Sequence, residues 1–214
     1  PENSGIAGLP EAYILEQMND MKQGLRHSSE TRMPSVNNMI RAAKAATPEE
    51  MQAGAKYFSS LKPQKWIRVV EADTVPKTHI SGGMLIVDPG PLEPIGDRII
   101  EVSEDIEQTE LRNPTSGFIA YVPKGSLQAG EALVKTGGDG KTLRCAMCHG
   151  PNLKGMANIP SIAGRSPSQM ARQLIDFQSG ARNGAGASMM KAPVAKLTNA
   201  DIVAITGYLA SLEP

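Results

Sequence analysis

The sequence predicts a mainly α-helical fold with a short β-rich segment in its middle. Near the end of the chain, apolar residues such as Ile202, Ile205 and Leu209 recur at helical spacing. Between about residues 63 and 122, the apolar residues instead form short runs that are rich in β-branched side chains and separated by Gly and Pro. The two ends of the chain also resemble each other in sequence, which indicates a duplicated helical unit.

The composition restricts the classes of protein to which the chain can belong. Its 214 residues carry 22 basic and 22 acidic side chains, which cancel. Nucleic acid is not expected as a partner, because phosphate binding needs clustered positive charge. No apolar run approaches the roughly 18–20 residues that cross a bilayer, so no membrane span is expected. The chain begins at Pro1 without a signal peptide, as the interior of a longer protein would.

The strongest motif is the segment Cys145-Ala146-Met147-Cys148-His149. A disulfide framework would scatter its cysteines along the chain, and a structural zinc site usually needs a second pair. A thioredoxin-like redox pair is an alternative, although it should follow a strand and gives no reason for the histidine. The pattern C-x-x-C-H is the attachment signature of c-type haem, in which the thiols bond to the two vinyl groups and the histidine binds the iron. We therefore expect one covalently attached haem c, held by Cys145, Cys148 and His149.

The residues after this motif extend the pattern. Gly150 follows directly, and after a loop the chain continues as Asn158-Ile159-Pro160-Ser161-Ile162-Ala163-Gly164. In this order the segment resembles the class I cytochromes c. The resemblance implies that the Pro160 carbonyl accepts the N–H of the His149 imidazole, which would orient the iron ligand. The alternative is that Pro160 is an ordinary turn proline.

A low-spin electron carrier also needs a second axial ligand, and methionine is the ligand that raises the reduction potential. Met189 and Met190 lie in a segment rich in Gly, Ala and Ser, where an extended loop could lay a thioether across the haem face. The segment 190–202 resembles the distal loop and final helix of tandem-domain, two-haem periplasmic cytochromes c. This resemblance assigns the ligand to Met190 rather than Met189. For any methionine the alternative is that it fills a gap in the core.

The resemblance also predicts how the helices of this unit pack. In the family an early helix crosses the last helix, with a glycine against an aromatic side chain. Here Gly130 and Tyr208 would form that contact, and Thr198 or Asn199 would cap the last helix. We therefore expect residues 123–214 to form one complete, helical haem domain of the cytochrome c type.

The start of the chain repeats its end. The matching pairs are Ile6-Ala7-Gly8 with Ile162-Ala163-Gly164, residues 17–26 with 173–182, Met39 with Met190, and residues 57–61 with 208–212. We interpret residues 1–62 as the distal half of a first cytochrome domain that lacks its own C-x-x-C-H. A longer natural protein is favoured over a true loss of the first haem. In that longer protein Met39 would bind the iron of a second haem.

Residues 63–122 are expected to form a few strands that connect these two units. The simplest interpretation is a structured linker that sets the distance between the units. The alternative is a docking surface for a redox partner, formed by the acidic stretch from Glu101 to Glu110. His27 and His79 have no partner at metal-ligand spacing and are interpreted as ordinary surface residues.

Together these features predict a periplasmic electron-transfer protein that cycles haem iron between Fe(III) and Fe(II). His149 and Met190 would be the axial ligands, and no residue would be catalytic. The expected partners are redox proteins, either a dehydrogenase or a terminal oxidase. The chain would be a free shuttle or the electron-accepting subunit of a dehydrogenase. One alternative is a haem enzyme or gas sensor with an open sixth coordination site. Another is a binding module whose first half is a haem-free scaffold.

Overall fold

The computed structural model describes residues 5–214, so that residues 1–4 of the predicted first unit lie outside the described residues. Within that range the chain forms nine helices and seven strands. The helices are α1 Glu11–Gln23, α2 Pro34–Ala45, α3 Pro48–Ser60, α4 Ile106–Glu110, α5 Ser126–Thr136, α6 Ala146–His149, α7 Pro167–Gln178, α8 Ser188–Val194 and α9 Asn199–Ser211. The strands are β1 Ile67–Glu71, β2 Thr74–Val75, β3 Thr78–Ser81, β4 Met84–Val87, β5 Glu93–Pro94, β6 Ile100–Ser103 and β7 Phe118–Val122. The prediction of a mainly α fold is confirmed.

The three helices α1 to α3 repeat the arrangement of α7 to α9. Gly8 and Gly164 precede the first helix of each set with φ angles of 70° and 68°, a left-handed conformation that glycine adopts without strain. The Gly8 amide donates to the Phe58 carbonyl at 2.9 Å, and the Gly164 amide donates to the Leu209 carbonyl at 2.8 Å. The duplication seen in the sequence is therefore also present in the backbone.

Helix α5 crosses α9 at a position where only glycine fits. A Cβ atom on Gly130 would lie 2.0 Å from the Ala204 carbonyl oxygen and 2.7 Å from the Tyr208 Cβ. Real Cβ atoms do not approach other atoms so closely, so that any side chain at this position would push the two helices apart. The predicted contact of Gly130 with Tyr208 is confirmed.

The strands form a five-stranded sheet in the order β1-β7-β6-β4-β3 and a separate ribbon of β2 and β5. Within the larger sheet, β1 with β7 and β4 with β6 are parallel, whereas β6 with β7 and β3 with β4 are antiparallel. One face of this sheet packs on α9, and the other faces a small cluster of its own. That second cluster consists of Val75, Ile95, Ile100 and Val102.

The sheet shares its core with the helices. One main apolar cluster joins strand residues to helix residues, and its larger members are Ile67, Phe118, Leu133, Val134, Met170, Phe177, Ile202, Ile205 and Leu209. A Cβ atom on Gly207 of α9 would lie 3.1 Å from the Val122 Cγ1 of β7. Residues 63–122 are therefore a packed layer on α9 as well as a connection.

The acidic stretch does not form one exposed surface. Glu101 is only 4% exposed, and Glu104 pairs with Arg68 at 2.9 Å. The segment from Ile106 to Glu110 folds as helix α4, which the sequence analysis did not predict. Its first turn is capped by Asp105, whose carboxylate accepts the Gln108 amide at 3.0 Å. Glu101 therefore cannot belong to the alternative docking surface, whereas Glu104, Asp105, Glu107 and Glu110 are exposed. The docking of a redox partner on these four residues stays a prediction.

The two repeats meet at a pair of arginines. The backbones of Arg26 and Arg182 form an isolated antiparallel bridge. Each guanidinium donates to the amide oxygens of both Gln17 and Gln173, at distances from 2.6 to 3.1 Å. Because Arg26 matches Arg182 and Gln17 matches Gln173 in the repeat, this interface has approximate two-fold symmetry. Burial and the neighbouring charge of Arg182 lower the pKa of the Arg26 guanidinium to about 10.

Among residues 5–214, no helix is both long enough and apolar enough to cross a membrane.

Candidate haem-binding site

The C-x-x-C-H motif forms a single helical turn. Cys145 stands at the N-cap of α6, and the His149 amide donates to the Cys145 carbonyl at 2.9 Å. Residues three apart on a helix lie on the same face, so that this turn presents both sulfur atoms to one side. The turn ends at Gly150, whose φ of 82° turns the chain away from the helix. The Cys145 amide anchors the turn to α5 by donating to the Val134 carbonyl at 3.1 Å.

Both thiols of the motif are free in the structure. Cys145 is partly buried against the main apolar cluster, whereas Cys148 is exposed. Burial raises the pKa of the Cys145 thiol to about 11. At neutral pH this thiol is therefore protonated and a weak nucleophile. The Cys145 sulfur therefore lies closer to the apolar core than the Cys148 sulfur does.

His149 is buried with an exposed fraction of 8%, and its Nδ1 lies 2.7 Å from the Pro160 carbonyl oxygen. A carbonyl oxygen only accepts hydrogen bonds, so we assign the ring proton to Nδ1. Burial lowers the pKa of the imidazole, and the hydrogen bond to Pro160 only partly opposes that effect. The ring is therefore neutral at neutral pH and keeps its Nε2 lone pair for a metal.

The two neighbouring methionines differ in their surroundings. Met189 is 60% exposed, whereas Met190 is partly buried and packs against the main apolar cluster. That cluster also contacts Cys145 and Ile162, so Met190 shares a core with the C-x-x-C-H turn and the Pro160 segment. Met170 is buried within α7.

The expectation of an extended loop around Met190 is wrong. Met190 lies in α8, a helix of seven residues with Pro193 inside it. The segment before Pro193 has no β-branched residue and contains alanine, methionine and lysine, which all favour helix. Pro193 has no N–H to continue the hydrogen-bonding pattern, and α8 ends at the next residue.

Met39 lies in the other repeat. It is part of α2 and is 43% exposed. Helix α2 follows α1 as α8 follows α7, which agrees with the alignment of Met39 with Met190. Met39 does not belong to the core that surrounds His149, so the structure does not bring it together with the other predicted site residues.

The other two histidines are surface residues. His79 pairs with Asp88 at 2.7 Å across the β3–β4 hairpin, and its side chain is 56% exposed. His27 is exposed next to the interface of the two repeats. Within the part of the chain that the structure describes, no group of three or more His, Cys, Asp or Glu is placed to hold a metal ion.

The sequence analysis missed two buried polar features of the molecule. One is the arginine pair between the repeats, which neither charge nor spacing indicates, because the two residues are 156 positions apart. The other is the buried carboxylate of Glu101. Its only signal in the sequence is an acidic residue between two β-branched ones, Ile100 and Val102, in a predicted strand.

Known proteins provide an independent comparison with this geometry. The family model described as Cytochrome c matches residues 127–213. Cytochrome c-554(548) of Halomonas halodenitrificans is 31% identical over 86 residues, which are 40% of this chain and 100% of that protein.

The chain belongs to the cytochrome c family.

Two further cytochromes resemble this one over longer stretches. Cytochrome c4 of Azotobacter vinelandii is 33% identical over 138 residues, which are 58% of this chain. The match spans 65% of that relative's length, slightly less than two thirds. The thiosulfate dehydrogenase electron acceptor of Thiomonas intermedia is 24% identical over 209 residues, which are 96% of this chain and 69% of that protein.

The fold of this cytochrome also resembles a solved structure. The crystal structure of reduced recombinant cytochrome c4 from Pseudomonas stutzeri matches with a TM-score of 0.60. The match covers 100% of this chain and 86% of that one, at 24% sequence identity. The likeness in fold to that structure therefore includes both repeats.

Proposed function

We propose that this cytochrome is an electron carrier that holds one haem c through Cys145, Cys148 and His149, with Met190 as the sixth ligand of the iron. The observation that carries the proposal is the 2.7 Å contact between His149 Nδ1 and the Pro160 carbonyl. When bound, haem c supplies a one-electron Fe(III)/Fe(II) couple.

Each residue of the site has a defined role in this proposal. The free thiols of Cys145 and Cys148, on one face of α6, are available for the two thioether bonds. The Pro160 carbonyl holds the imidazole of His149 in one orientation and makes its Nε2 a stronger donor. The thioether of Met190 is a soft ligand that favours the ferrous state and so raises the reduction potential.

With His149 and Met190 both holding the iron, the haem would have no place for a substrate, so the chain would tune and gate the transfer of electrons rather than make bonds. Electrons would enter and leave where the motif reaches solvent. Met147 is 58% exposed and Cys148 is exposed. This edge of α6 is the proposed contact point for a redox partner.

We propose that residues 123–214 form the complete haem domain, that 63–122 form a connecting sheet layer, and that 1–62 are the distal half of a second haem domain. In that case Met39 would bind the iron of a second haem, with the proximal half supplied by residues that this sequence does not contain. The repeated glycine geometry at Gly8 and Gly164 supports this proposal. The genomic sequence that encodes the natural protein tests it, because it either contains or lacks another C-x-x-C-H.

The proposed location is the periplasm, by resemblance to the two-haem periplasmic cytochromes c. The proposed partners are redox proteins, either a dehydrogenase that delivers electrons or a terminal oxidase that consumes them. The likeness of nearly the whole chain to a protein named as a thiosulfate dehydrogenase electron acceptor supports the first of these.

Absorption spectra of the holoprotein test the axial ligands. The wild type should show the weak near-red band of ferric iron bound to methionine, and it should not bind carbon monoxide when reduced. The Met190→Ala variant should lose that band and bind carbon monoxide. The neighbouring Met189→Ala variant is the matched control and should behave as the wild type. An unchanged spectrum of Met190→Ala would exclude Met190 as the ligand. Binding of carbon monoxide by the reduced wild type would favour the alternative of a haem enzyme or gas sensor.

A further inference from the structure

Glu101 occupies an unusual place in the sheet. It lies in β6, between the neighbouring strands β7 and β4, and its register partner on β7 is the fully buried Ala120. Ile100 and Val102 belong to the second apolar cluster, so by strand alternation Glu101 points to the opposite face, towards the helices. A carboxylate that is only 4% exposed must be hydrogen-bonded, because burial of a bare charge costs several kcal/mol.

The carboxylate of Glu101 is bound to the start of α7. Its Oε2 accepts the Ser166 hydroxyl at 2.8 Å and the Ser168 amide at 3.3 Å. Ser166 is the N-cap of α7, and its hydroxyl oxygen in turn accepts the Gln169 amide at 3.2 Å. A negative charge at this end of a 12-residue helix interacts favourably with its dipole. The sheet therefore caps α7 from outside the helix.

A short segment of the chain connects the start of α7 to Pro160, whose carbonyl accepts the hydrogen bond from His149. Only five residues separate Pro160 from Ser166. Within that segment, the Ile162 and Ala163 amides both donate to the Leu153 carbonyl, at 2.8 and 3.1 Å. These hydrogen bonds and the short length of the segment restrict how far the capped end of α7 and the Pro160 carbonyl can move relative to each other.

A second contact stiffens the same segment. The Arg165 Nε donates to the Ser161 carbonyl at 3.0 Å, and its side chain also binds the Ser161 hydroxyl. Another of its nitrogens donates to the Ala7 carbonyl of the first repeat at 3.3 Å. The segment 160–166 is thus held at one end by the sheet and within its length by its own backbone and the first repeat.

We propose that Glu101 is a positioning residue for the haem ligand. Acting through Ser166, it fixes the start of α7 and thereby the Pro160 carbonyl that orients His149. The sheet layer tunes the reduction potential of the iron in this way. The proposal rests on the proposed function, since it assumes that His149 binds haem iron. The coupling runs through the position of the Pro160 carbonyl. If that carbonyl is less firmly held, its hydrogen bond to His149 Nδ1 weakens. The Nε2 atom is then a weaker electron donor to the iron, and the reduction potential rises.

The test compares Glu101→Gln and Ser166→Ala in the full-length holoprotein. Glu104→Gln controls for loss of a more exposed charge at the end of the same strand, and Thr47→Ala controls for loss of a helix cap away from the site. Two quantities are measured in all variants: the midpoint potential in a redox titration, and hydrogen exchange of the backbone amides in residues 160–170. We expect both site variants to raise the potential and to speed exchange in that segment, and both controls to match the wild type.

Other outcomes would overturn the proposal. If Glu101→Gln raises the potential and Ser166→Ala does not, the effect is that of the buried charge and no positioning takes place. If neither variant moves the potential beyond the controls, the sheet does not tune the iron. Should Glu101→Gln fail to fold, Ser166→Ala alone decides, since it keeps the carboxylate. Failure of the proposed function is distinguishable, because the wild type would then hold no covalent haem, whereas the exchange rates of the segment could still be compared.

Discussion

The last helix of each repeat follows the same local plan, yet the two differ in what covers them. Helix α9 is buried along nearly its whole length between α5 and the sheet. In α3 only Met51 and Ala55 are buried. Where α9 has Val203 and Gly207, α3 has the exposed Gln52 and Lys56. Helix α9, which is covered by both α5 and the sheet, thus has an apolar residue and a glycine at two positions where the less covered α3 has polar residues.

The contrast extends to the face that α5 covers. Tyr208 of α9 is partly buried beside Gly130, whereas its counterpart Tyr57 of α3 is 60% exposed. No helix equivalent to α5 packs on α3 among residues 5–62, the described part of the first repeat. Helix α3 therefore forms with one packed face and its capping box, while burial on further faces needs partner elements that lie far away along the chain.

The largest expected effect tests whether the sheet is part of the core of the proposed haem domain. Phe118→Ala removes a ring from β7 that is 7% exposed in the main apolar cluster. It should lower the free energy of unfolding by about 3–5 kcal/mol, as measured by denaturant titration. Trp66→Ala, next to the same sheet but 42% exposed, is the control and should cost much less. A loss below about 1 kcal/mol for Phe118→Ala would mean that the sheet is not an integral layer.

The next prediction is that a Gly→Ala substitution lowers stability in the second unit of the chain and raises it in the first. Gly130→Ala places a Cβ 2.0 Å from the Ala204 carbonyl oxygen, so α5 and α9 must separate, and stability should fall by about 3 kcal/mol. Gly54→Ala in α3 meets nothing within 4 Å and should raise stability by about 0.5–1 kcal/mol through helix propensity. Thermal unfolding measures both. Equal changes in stability for the two substitutions would contradict the structure, in which α9 packs closely on Gly130 and nothing packs on Gly54.

A smaller effect on stability concerns the N-terminal cap of α9, which Thr198 and Asp201 form. Burial raises the pKa of Asp201, but hydrogen bonds from Lys141 and Thr198 outweigh it, so that the pKa lies below its ordinary value of 3.8. The folded state therefore gains stability above about pH 4 that is lost as the pH falls through the pKa of Asp201 in the folded protein. Lys141→Met should reduce that gain by up to about 1 kcal/mol, since Lys141 is half exposed.

Acid titrations of the wild type and Lys141→Met, followed by circular dichroism, measure this difference. The control is Lys22→Met, which removes an exposed lysine that donates to the Ala46 carbonyl rather than to a carboxylate, and it should not change how stability depends on pH. If Lys141→Met left the acid-unfolding midpoint unchanged, the ion pair would contribute nothing to the cap of α9.

The smallest expected effect is a difference in the rate of methionine oxidation rather than in stability. In the protein without haem, hydrogen peroxide should oxidise Met39, which is 43% exposed, faster than its counterpart Met190, which packs against the core. Met189, at 60% exposure, is the internal reference for a fully accessible thioether. Mass spectrometry of the digested protein gives the three rates. A faster reaction at Met190 than at Met39 would contradict the core position assigned to Met190.

Features that depend on neighbours along the chain were predictable. The capping boxes at Thr47 and Thr198 use residues three positions apart, and the C-x-x-C-H turn needs only five residues in order. The pairing of Gly130 with Tyr208 also followed, although from resemblance to the family rather than from spacing. The helix around Met190 was missed because glycine and proline nearby indicated a loop.

By itself the sequence determined the duplicated helices and their caps, and it supplied the residues proposed to hold haem c, because each of these depends on short spacings along the chain. Tertiary structure alone decided that a sheet covers α9, that Glu101 is buried against Ser166, and that Arg26 meets Arg182. Such contacts join residues 65 to 156 positions apart. Their free energy comes from surfaces that exist only after the chain has folded, so no local pattern records them.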